Sequence, residues 1–375
     1  MPRKGENIYK RKDGRWEGRY KRGKNQKGKT TYGYVYAKTY KDVREKLTLA
    51  KHNTMHNEKK DFDFTFSQIS KKWLEEKKLS VKISSYNKYR NSLEKYVIPK
   101  LGNIQISKLS IIEIDKLCRE LLSNGGNKKT GLSSKTVADI LTIVRSILLY
   151  AEKYDFHPMC NAKEINIKIE KHDISVISKQ DQEILIHFLK SEATNCDIGI
   201  LLCLFTGIRI GELCALRNSE ISVSTKTLSI ISTMQRIQCF DEGSNSKTKI
   251  VITPPKSSCS KRCIPLPDCM IPYLENIKKD DDSFFLTGSK TKYIEPRSMQ
   301  NYFKRVLKEN NIQETNFHAL RHTFATNCVE LGFDTKSLSE ILGHSNVSIT
   351  LNRYVHPSIA QKKKNMQLLS ELFSV

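Results

Sequence analysis

The stretch LGHSNVSITLNRYVHPS, residues 342–358, places a tyrosine ten residues after a histidine in a strongly basic chain. The spacing is typical of a histidine at the start of one helical segment and a tyrosine near the end of the next. Most tyrosines serve packing, and Tyr354 taken alone is therefore more simply a core residue than a nucleophile. Partners elsewhere in the chain decide between these two interpretations.

The net charge indicates the class of partner. The chain has 375 residues, with 64 Lys and Arg against 40 Asp and Glu, which gives +24 at pH 7. Such an excess favours a polyanion, most simply nucleic acid. No apolar run approaches the ~20 residues that span a bilayer, and no basic amphipathic helix with a large aromatic face supports membrane binding. Because the N-terminus lacks a secretory pattern, we expect a cytoplasmic protein.

The ten cysteines form no regular framework. In a reducing compartment they are most simply apolar core residues. Cys259, Cys263 and Cys269 lie close together in sequence, but their spacing fits no usual zinc pattern and contains no CxxC pair. The sequence therefore predicts no metal site.

Residues 1–60 carry 19 Lys and Arg against 6 Asp and Glu, more than half of the excess charge. Two short strands flank the turn Lys12-Asp13-Gly14, and KTTYGYVYA and TYKDVREKLTLAK predict a third strand and a helix. Thr39 is the expected N-terminal cap of that helix. We expect a separate module of three strands and one helix.

One face of this predicted sheet is basic. Alternation along the second strand places Trp16 and Tyr20 on one face. The opposite face carries Arg15, Arg19 and Lys21. This face is either a solvated surface or a surface that binds DNA, as β-sheet readers do.

The remaining chain is predicted to be mainly α-helical. Residues 62–165 have the apolar spacing of a four-helix domain, and residues 174–375 predict helices interrupted by short strands near 228–234, 248–253, 261–265 and 283–286. Helix two of the four-helix domain is expected to end at Pro99. The predicted fold is thus multidomain: a small sheet plus helix, a helical domain and a mixed α/β, mostly α, domain.

Four stretches of the last domain carry candidate chemistry: LFTGIRIGELCAL (204–216), TPPKSSCSKRCIPLP (253–267), NFHALRHTFAT (316–326) and LGHSNVSITLNRYVH (342–356). Each has an ordinary structural interpretation by itself. Together they supply two arginines, two histidines, a lysine and a tyrosine. Guanidinium groups match phosphate oxygens in pairs, and fixed donors stabilise the charge that develops on a phosphodiester under attack.

The four stretches resemble the catalytic domain of the tyrosine recombinases, the phage integrase family. TGIRIGEL resembles the first arginine motif, PPKSSCSKRCIPLP the β-hairpin lysine motif, HALRHTFAT the His-x-x-Arg motif and LGHSNVSITLNRYVH the motif that joins a histidine to the tyrosine. The helical middle is more loosely similar to the core-binding domain. The N-terminal module is similar to the arm-binding domain of integrases from conjugative transposons, which makes residues 1–60, 62–165 and 174–375 the expected arm-binding, core-binding and catalytic domains.

The resemblance implies a role for each site residue. Tyr354 would attack and hold the 3′ end of the DNA as a phosphotyrosine, and Lys256 would protonate the leaving 5′ oxygen. No ATP, metal or other cofactor is implied, because the energy of the broken bond is kept in the phosphotyrosine. Two arginines, Arg209 and Arg321, would bind the scissile phosphate. Two histidines, His318 and His344, would donate hydrogen bonds to the same phosphate and help to transfer protons.

The resemblance also implies partners: double-stranded DNA with core and arm sites, a homo-oligomer on DNA that we expect to be a tetramer, an excisionase and a host DNA-bending protein. Strand exchange would proceed through a Holliday junction and would integrate and excise a mobile element. The apolar residues of the tail, residues 360–375, either pack on their own domain or dock on a neighbouring protomer.

Several assignments have rivals. Lys261 and Arg262 compete with Lys256 for the general-acid position, and His356 competes with His344. Glu212 is expected to hold Arg209 in place, and His322 is expected to be structural and to turn away from the site. Two other functions remain open, a type IB topoisomerase and a DNA-binding regulator that has lost catalysis.

Overall fold

The computed structural model describes residues 7–24, 30–58, 64–126, 130–169, 175–239, 248–255, 258–277 and 280–354, together with 363, 366 and 367. The chain divides into two compact units, residues 1–170 and 171–375. The elements of the first unit are β1 (Ile8–Lys10), β2 (Trp16–Lys24), β3 (Thr30–Ala37), α1 (Tyr40–Glu58), α2 (Phe66–Ser80), α3 (Ile83–Ser92), α4 (Ile98–Leu101), α5 (Ile111–Asn124) and α6 (Ser134–Lys153).

The first unit begins with the predicted sheet and helix. β1, β2 and β3 form an antiparallel sheet in that order, and α1 covers one face through Val43 and Leu47, which pack with Trp16 and Tyr20. Thr39 accepts a hydrogen bond from the backbone N–H of Asp42, as a helix cap does. The other face of the sheet exposes Tyr32, Tyr34 and Tyr36 among the described residues.

The helices α2 to α6 bury a second core around Phe66, Trp73 and Ile114. The prediction that the second of these helices ends at Pro99 is wrong, because the helix continues through Pro99 to Leu101. A single π-helical turn, Leu93–Val97, ends two residues before the proline. Proline has no N–H to donate, and a π-helical turn shifts the hydrogen-bond pattern locally so that the helix can pass it.

The second unit surrounds a large apolar core. Its elements are α7 (Lys179–Glu192), α8 (Asn195–Thr206), α9 (Ile210–Ala215), β4 (Ile221–Ser222), β5 (Thr227–Ile230), β6 (Thr233–Gln238), β7 (Thr248–Thr253), β8 (Arg262–Pro265), α10 (Ile271–Ile277), α11 (Pro296–Glu309), α12 (His318–Glu330), α13 (Thr335–Leu342) and α14 (Val347–Tyr354). The helix α8 is apolar on all sides and nearly fully buried, which is typical of the central helix of a core.

The strands of this unit differ from the prediction in two places. Residues 228–234 form parts of two strands, because β5 pairs with β4 and β8 whereas β6 pairs with β7 in a separate hairpin. Residues 283–286 form only isolated bridges at Phe284. A short apolar run cannot reveal its partners, and those partners decide whether it becomes a strand. Among the described helices, none is long and apolar enough to cross a membrane.

Candidate active site

The first arginine stretch is positioned by the end of the buried helix α8. Gly207 ends this helix in the left-handed conformation, with φ of +65°. A Cβ atom at this position would lie 2.5 Å from the Phe324 ring, so only glycine fits both the backbone and the packing. Arg209 follows two residues later as the N-cap of α9, with its side chain 35% exposed. The buried helix therefore delivers one guanidinium to an accessible surface.

Glu212 holds Arg209, as predicted. Its carboxylate accepts from Arg209 Nη1 at 2.8 Å and from the Arg209 backbone N–H at 2.9 Å. The structure adds a second partner, since Arg262 on β8 donates to both oxygens of Glu212, at 3.2 and 2.9 Å. Burial alone would raise the pKa of Glu212, but the hydrogen bond from Arg262 and the charges of both arginines outweigh it and lower that pKa.

Arg262 was a rival for the general-acid position, and its geometry argues against that role. Its side chain is only 6% exposed, and its Nε donates to the carbonyl of Ile341 at 2.6 Å. A guanidinium committed to a buried carboxylate and a carbonyl has neither access to DNA nor a proton to release. Arg262 is thus a buried residue whose hydrogen bonds link β8 to α9 and α13.

The helix α12 supplies two further predicted groups. His318 lies exposed at its first residue, and Arg321, one turn later, is only 2% exposed. Arg321 donates from Nη1 to the carbonyl of Gly207 at 2.7 Å and from Nη2 to the carbonyl of Leu342 at 2.8 Å. Burial and the nearby charge of Arg209 lower the pKa of Arg321 to about 9, and at neutral pH the side chain remains a cation.

Three arginines converge on the C-terminal end of α13. Gly343 has φ of +64°, and the backbone N–H of His344 donates to the carbonyl of Ser339 at 3.0 Å, as in a Schellman motif. Three consecutive carbonyls accept from guanidinium groups: Ile341 from Arg262, Leu342 from Arg321 and Gly343 from Arg209. The negative end of the helix dipole favours these cations.

This corner fixes His344. Its Nε2 lies 2.9 Å from Arg321 Nη2, and its Nδ1 lies 2.8 Å from the hydroxyl of Thr350 on α14. Because a guanidinium only donates, Nε2 of His344 accepts, and Nδ1 donates to Thr350 in the neutral tautomer. His344 therefore joins Arg321 to the helix that carries the tyrosine.

Tyr354 is the last described residue of α14, and its side chain is 7% exposed. Its hydroxyl lies 2.7 Å from Nδ1 of His322. The prediction that His322 turns away from the site is therefore wrong. Adjacent residues of a helix are only ~100° apart, and His322 is four residues after His318, so the two share a face. Their rings lie 4.6 Å apart, edge to face.

Desolvation by the surrounding protein atoms, followed by nearby positive charge, keeps the three histidines neutral near pH 7, including the exposed His318. Burial, followed by nearby positive charge, lowers the pKa of His322 to about 4 and that of His344 to about 4. The pKa of His318 is also lowered to about 4, by the surrounding protein atoms, then His322 and the arginines. Burial raises the pKa of Tyr354, although Arg321, Arg353 and Arg209 oppose this effect. The site is therefore cationic through its guanidinium groups, with a protonated phenol.

Two predicted groups lie outside the described residues, Lys256 and His356, and so does most of the tail. Lys261 is exposed. The flanking strands belong to different sheets, β7 with β6 and β8 with β5. In the part of the chain that the structure describes, no group of three His, Cys, Asp or Glu side chains could hold a metal ion.

The basic face of the N-terminal sheet has the predicted composition. Arg19 and Lys21 are exposed opposite the α1 side, and the exposed Arg15 directly precedes β2. The guanidinium carbon of Arg19 lies 3.6 Å from the centre of the Tyr32 ring. Tyr34 and Tyr36 are exposed on the same face, 47% and 41%. A surface of cations stacked on aromatic rings can bind a polyanion such as the phosphate backbone of nucleic acid.

Sequence profiles of two domain families match the chain. One, described as "Phage integrase family", matches residues 175–361, and the other, "Phage integrase, N-terminal SAM-like domain", matches residues 65–122. A similar relative is a "Tyrosine recombinase XerC-like" protein of Caldanaerobacter subterraneus subsp. tengcongensis, 28% identical over an alignment 375 positions long that covers 94% of each chain. The transposase from transposon Tn916 of Enterococcus faecalis is 28% identical over 52% of this chain and 51% of its own.

Solved structures share the fold. The Tn1549 transposon integrase in complex with transposon right end DNA matches with a TM-score of 0.66 and 20% identity, over 82% of this chain and 100% of the other. A lambda integrase tetramer bound to a Holliday junction matches with a TM-score of 0.58 and 14% identity, over 94% and 98%. The two phage integrase profiles, over residues 65–122 and 175–361, and the tyrosine recombinase relative show that the chain belongs to the phage integrase family, the tyrosine recombinases, which cleave and rejoin DNA strands.

Proposed function

We propose that this protein is a site-specific recombinase that integrates and excises a mobile element. The observation that supports this most is the convergence of Arg209, Arg321, His344 and Tyr354 from three distant stretches of sequence. Arg321 donates hydrogen bonds to the carbonyl of Gly207, two residues before Arg209. It also donates to the carbonyl of Leu342 and to Nε2 of His344. Such a cluster of fixed cations beside a phenol suits attack on a phosphodiester without a metal.

Each group has a role in this chemistry. Arg209 and Arg321 neutralise the non-bridging oxygens of the scissile phosphate, and His318 and His344 contact the same phosphate. Tyr354 forms the new bond to phosphorus, and Lys256 gives a proton to the 5′ oxygen as that bond breaks. Rejoining reverses these steps when the 5′ hydroxyl of another strand attacks, and two rounds of exchange pass through a Holliday junction.

A nicked suicide duplex that carries an end of the element tests the reaction. The duplex loses a short fragment after cleavage, so that the protein stays attached to DNA. We expect a covalent adduct with the wild-type chain and none with Tyr354→Phe, because only the hydroxyl is removed. Tyr302→Phe, which changes a tyrosine bonded to Asp197, is the matched control and should leave the adduct. An adduct with Tyr354→Phe would overturn the assignment.

The nicked duplex, together with a supercoiled plasmid that lacks element ends, separates the rival functions. A DNA-binding regulator would form no adduct with any variant. A type IB topoisomerase would relax supercoiled DNA that lacks element ends, whereas a recombinase needs two paired sites. The basic open face of the N-terminal sheet favours recombination, because a second DNA-binding surface lets one protein bridge core and arm sites.

We further propose that the chain acts as a tetramer on DNA, in the cytoplasm of a bacterium, with an excisionase and a host DNA-bending protein as accessory partners. The catalytic unit has an apolar cavity of about 480 Å³ lined by Leu204, Phe205, Phe324 and Phe333, among others. The tail sequence offers Leu368, Leu369, Leu372 and Phe373 for such a cavity on a neighbouring protomer.

Deleting residues 360–375 should then lower assembly on paired sites more than binding to one site. Phe333→Glu, a charge at the 45% exposed rim of the cavity, should have the same effect. Ile231→Glu, which is 53% exposed elsewhere in the unit, serves as its control. Equal losses of assembly and single-site binding would contradict tail docking.

A further inference from the structure

One histidine contacts the nucleophile directly, and it is the one that the sequence placed outside the site. Nδ1 of His322 lies 2.7 Å from the Tyr354 hydroxyl, and no other hydrogen bond to that hydroxyl is described. Both side chains are nearly buried, with 8% of His322 and 7% of Tyr354 exposed. Water therefore has little access to the phenolic proton, and a protein group is the natural acceptor.

We propose that His322 is a catalytic residue that accepts the phenolic proton of Tyr354 when the tyrosine attacks and returns it when the strand is rejoined. This inference rests on the proposed function, because it requires Tyr354 to be the nucleophile. His318, which the resemblance made a proton manager, stands beside His322 and keeps its place at the phosphate.

The bonds and protons balance in both directions. During cleavage the O–H bond of Tyr354 breaks, its proton moves to Nδ1 of His322, and the phenolic oxygen forms the bond to phosphorus. The bond from phosphorus to the 5′ oxygen breaks, and that oxygen takes a proton from the general acid. During rejoining the 5′ hydroxyl loses its proton to the same general acid, the tyrosine leaves as a phenolate, and the proton on His322 returns to it.

The charges around His322 are consistent with this role. Arg321 and His318 lie on the same helix, and Arg353 and Tyr354 face it from α14. Burial and the two arginines lower the pKa of His322 to about 4, which keeps the ring neutral at neutral pH, and Nδ1 accepts from the phenol in the tautomer protonated at Nε2. A scissile phosphate bound by Arg209 and Arg321 would bring negative charge next to the ring and stabilise its protonated form during the attack.

The hydrogen bond also permits a rival interpretation, in which His322 only holds an idle tyrosine. His322→Asn separates the two, because the asparagine amide can occupy the position of Nδ1 and keep a hydrogen bond but cannot accept a proton. His187→Asn is the matched control, since His187 is exposed on α7. Thermal unfolding of each variant establishes that it is folded before rates are compared.

The measurement is the single-turnover rate of adduct formation on the nicked duplex from pH 6 to 9. We expect His322→Asn to slow cleavage on the order of 10²- to 10³-fold at pH 7, in the range of general-base catalysis. The wild-type rate should change little with pH, because a base of pKa about 4 is already neutral. The variant rate should rise about tenfold per pH unit, because attack would then require prior ionisation of the phenol.

Two rescue experiments complete the test. A fluorinated tyrosine at position 354, whose phenol ionises more readily, should restore cleavage at least tenfold in His322→Asn and change the wild type little. Added imidazole should do the same in His322→Ala, where it can fill the vacated space. An Asn variant as fast as or faster than wild type, or a slow variant with a flat pH profile and no rescue, would overturn the proposal. An adduct with Tyr354→Phe would instead overturn the function on which it rests.

Discussion

Arg19 and Arg321 are both guanidinium groups expected to meet DNA phosphates, but their surroundings differ completely. Arg19 lies exposed on an open sheet and stacks 3.6 Å from the centre of the Tyr32 ring. Arg321 is 2% exposed and bonds to two carbonyls and His344. An exposed cation keeps its hydration and is screened by salt, whereas a buried one is held in a single geometry at a cost in desolvation.

In the proposed function, this difference separates DNA binding from catalysis. A surface that binds the DNA backbone needs positive charge but does not need each cation in a fixed position. Each phosphate contact adds a small and similar amount to the affinity for DNA. A site that stabilises a transition state needs donors that are already fixed where charge will develop. The buried network around Glu212, Arg262 and the end of α13 provides that fixation, and we expect changes there to have the larger effects.

The largest effect is expected for Arg321→Lys, which keeps the charge but removes the fork. A single ammonium cannot serve the carbonyls of Gly207 and Leu342, His344 and a phosphate together. We expect adduct formation to fall on the order of 10³-fold per folded molecule. Arg305→Lys, on an exposed part of α11, is the control. A loss below tenfold would mean that fixed geometry matters less than charge in this site.

The next largest effect concerns the buried carboxylate. Arg262→Met removes one of the two cations that hold Glu212, and we expect a loss of about 3 kcal/mol in the free energy of unfolding, measured with urea. The double variant Arg262→Met, Glu212→Gln should recover part of that loss, since it no longer buries an under-compensated charge. DNA cleavage by the double variant should stay slow, because the carboxylate of Glu212 that holds Arg209 is gone. If the losses in the free energy of unfolding caused by the two substitutions simply add, Arg262 and Glu212 are not energetically coupled and the prediction is wrong.

Acid should destabilise the catalytic unit through its neutral histidines. An unfolded histidine binds a proton near pH 6.5, whereas His322 resists protonation until about pH 4. The contribution of His322 to the free energy of unfolding is therefore complete above pH 6.5 and is lost as the pH falls toward 4. Between pH 7 and 5 we expect His322 to account for about 2 kcal/mol of the decrease, measured with urea on the wild type and His322→Asn. Identical decreases in both proteins would contradict this.

The smallest effect is expected on the open sheet. Arg19→Ala should lower affinity for DNA about tenfold at low salt and reduce the slope of log affinity against log salt by about 0.9, one phosphate contact. The free energy of unfolding should change by less than about 1 kcal/mol, since only an exposed cation–π contact is lost. Arg44→Ala, on the exposed side of α1, is the control. An unchanged salt slope would remove this face from the DNA-binding surface.

Sequence reasoning predicted the helical class, the three strands of the N-terminal sheet and the two faces of β2, because alternation and apolar spacing are local signals. It also predicted that Glu212 holds Arg209, three residues away. It failed at Pro99, where a π-helical turn lets the helix continue, and at residues 228–234, whose strands join different sheets. Both outcomes depend on hydrogen-bond partners that the local pattern does not contain.

The domain boundaries and the roles of the site residues stay predictions. Arg262 could be recognised as a rival in the right stretch, but its buried bond to Glu212 joins residues 50 positions apart. His322 offered one unused signal, its i, i+4 spacing from His318, which places both on one helix face.

By itself, the sequence determined which chemical groups the protein has, since residue types and their local spacing fix the arginines, histidines and tyrosine of the four stretches. Only the tertiary structure decided which of them touch. The packing of α12 against α8 and the glycine-capped corner after α13 brought Arg321 to three partners and set His322 against Tyr354. Contacts between distant segments depend on how the whole core closes, and no local pattern encodes them.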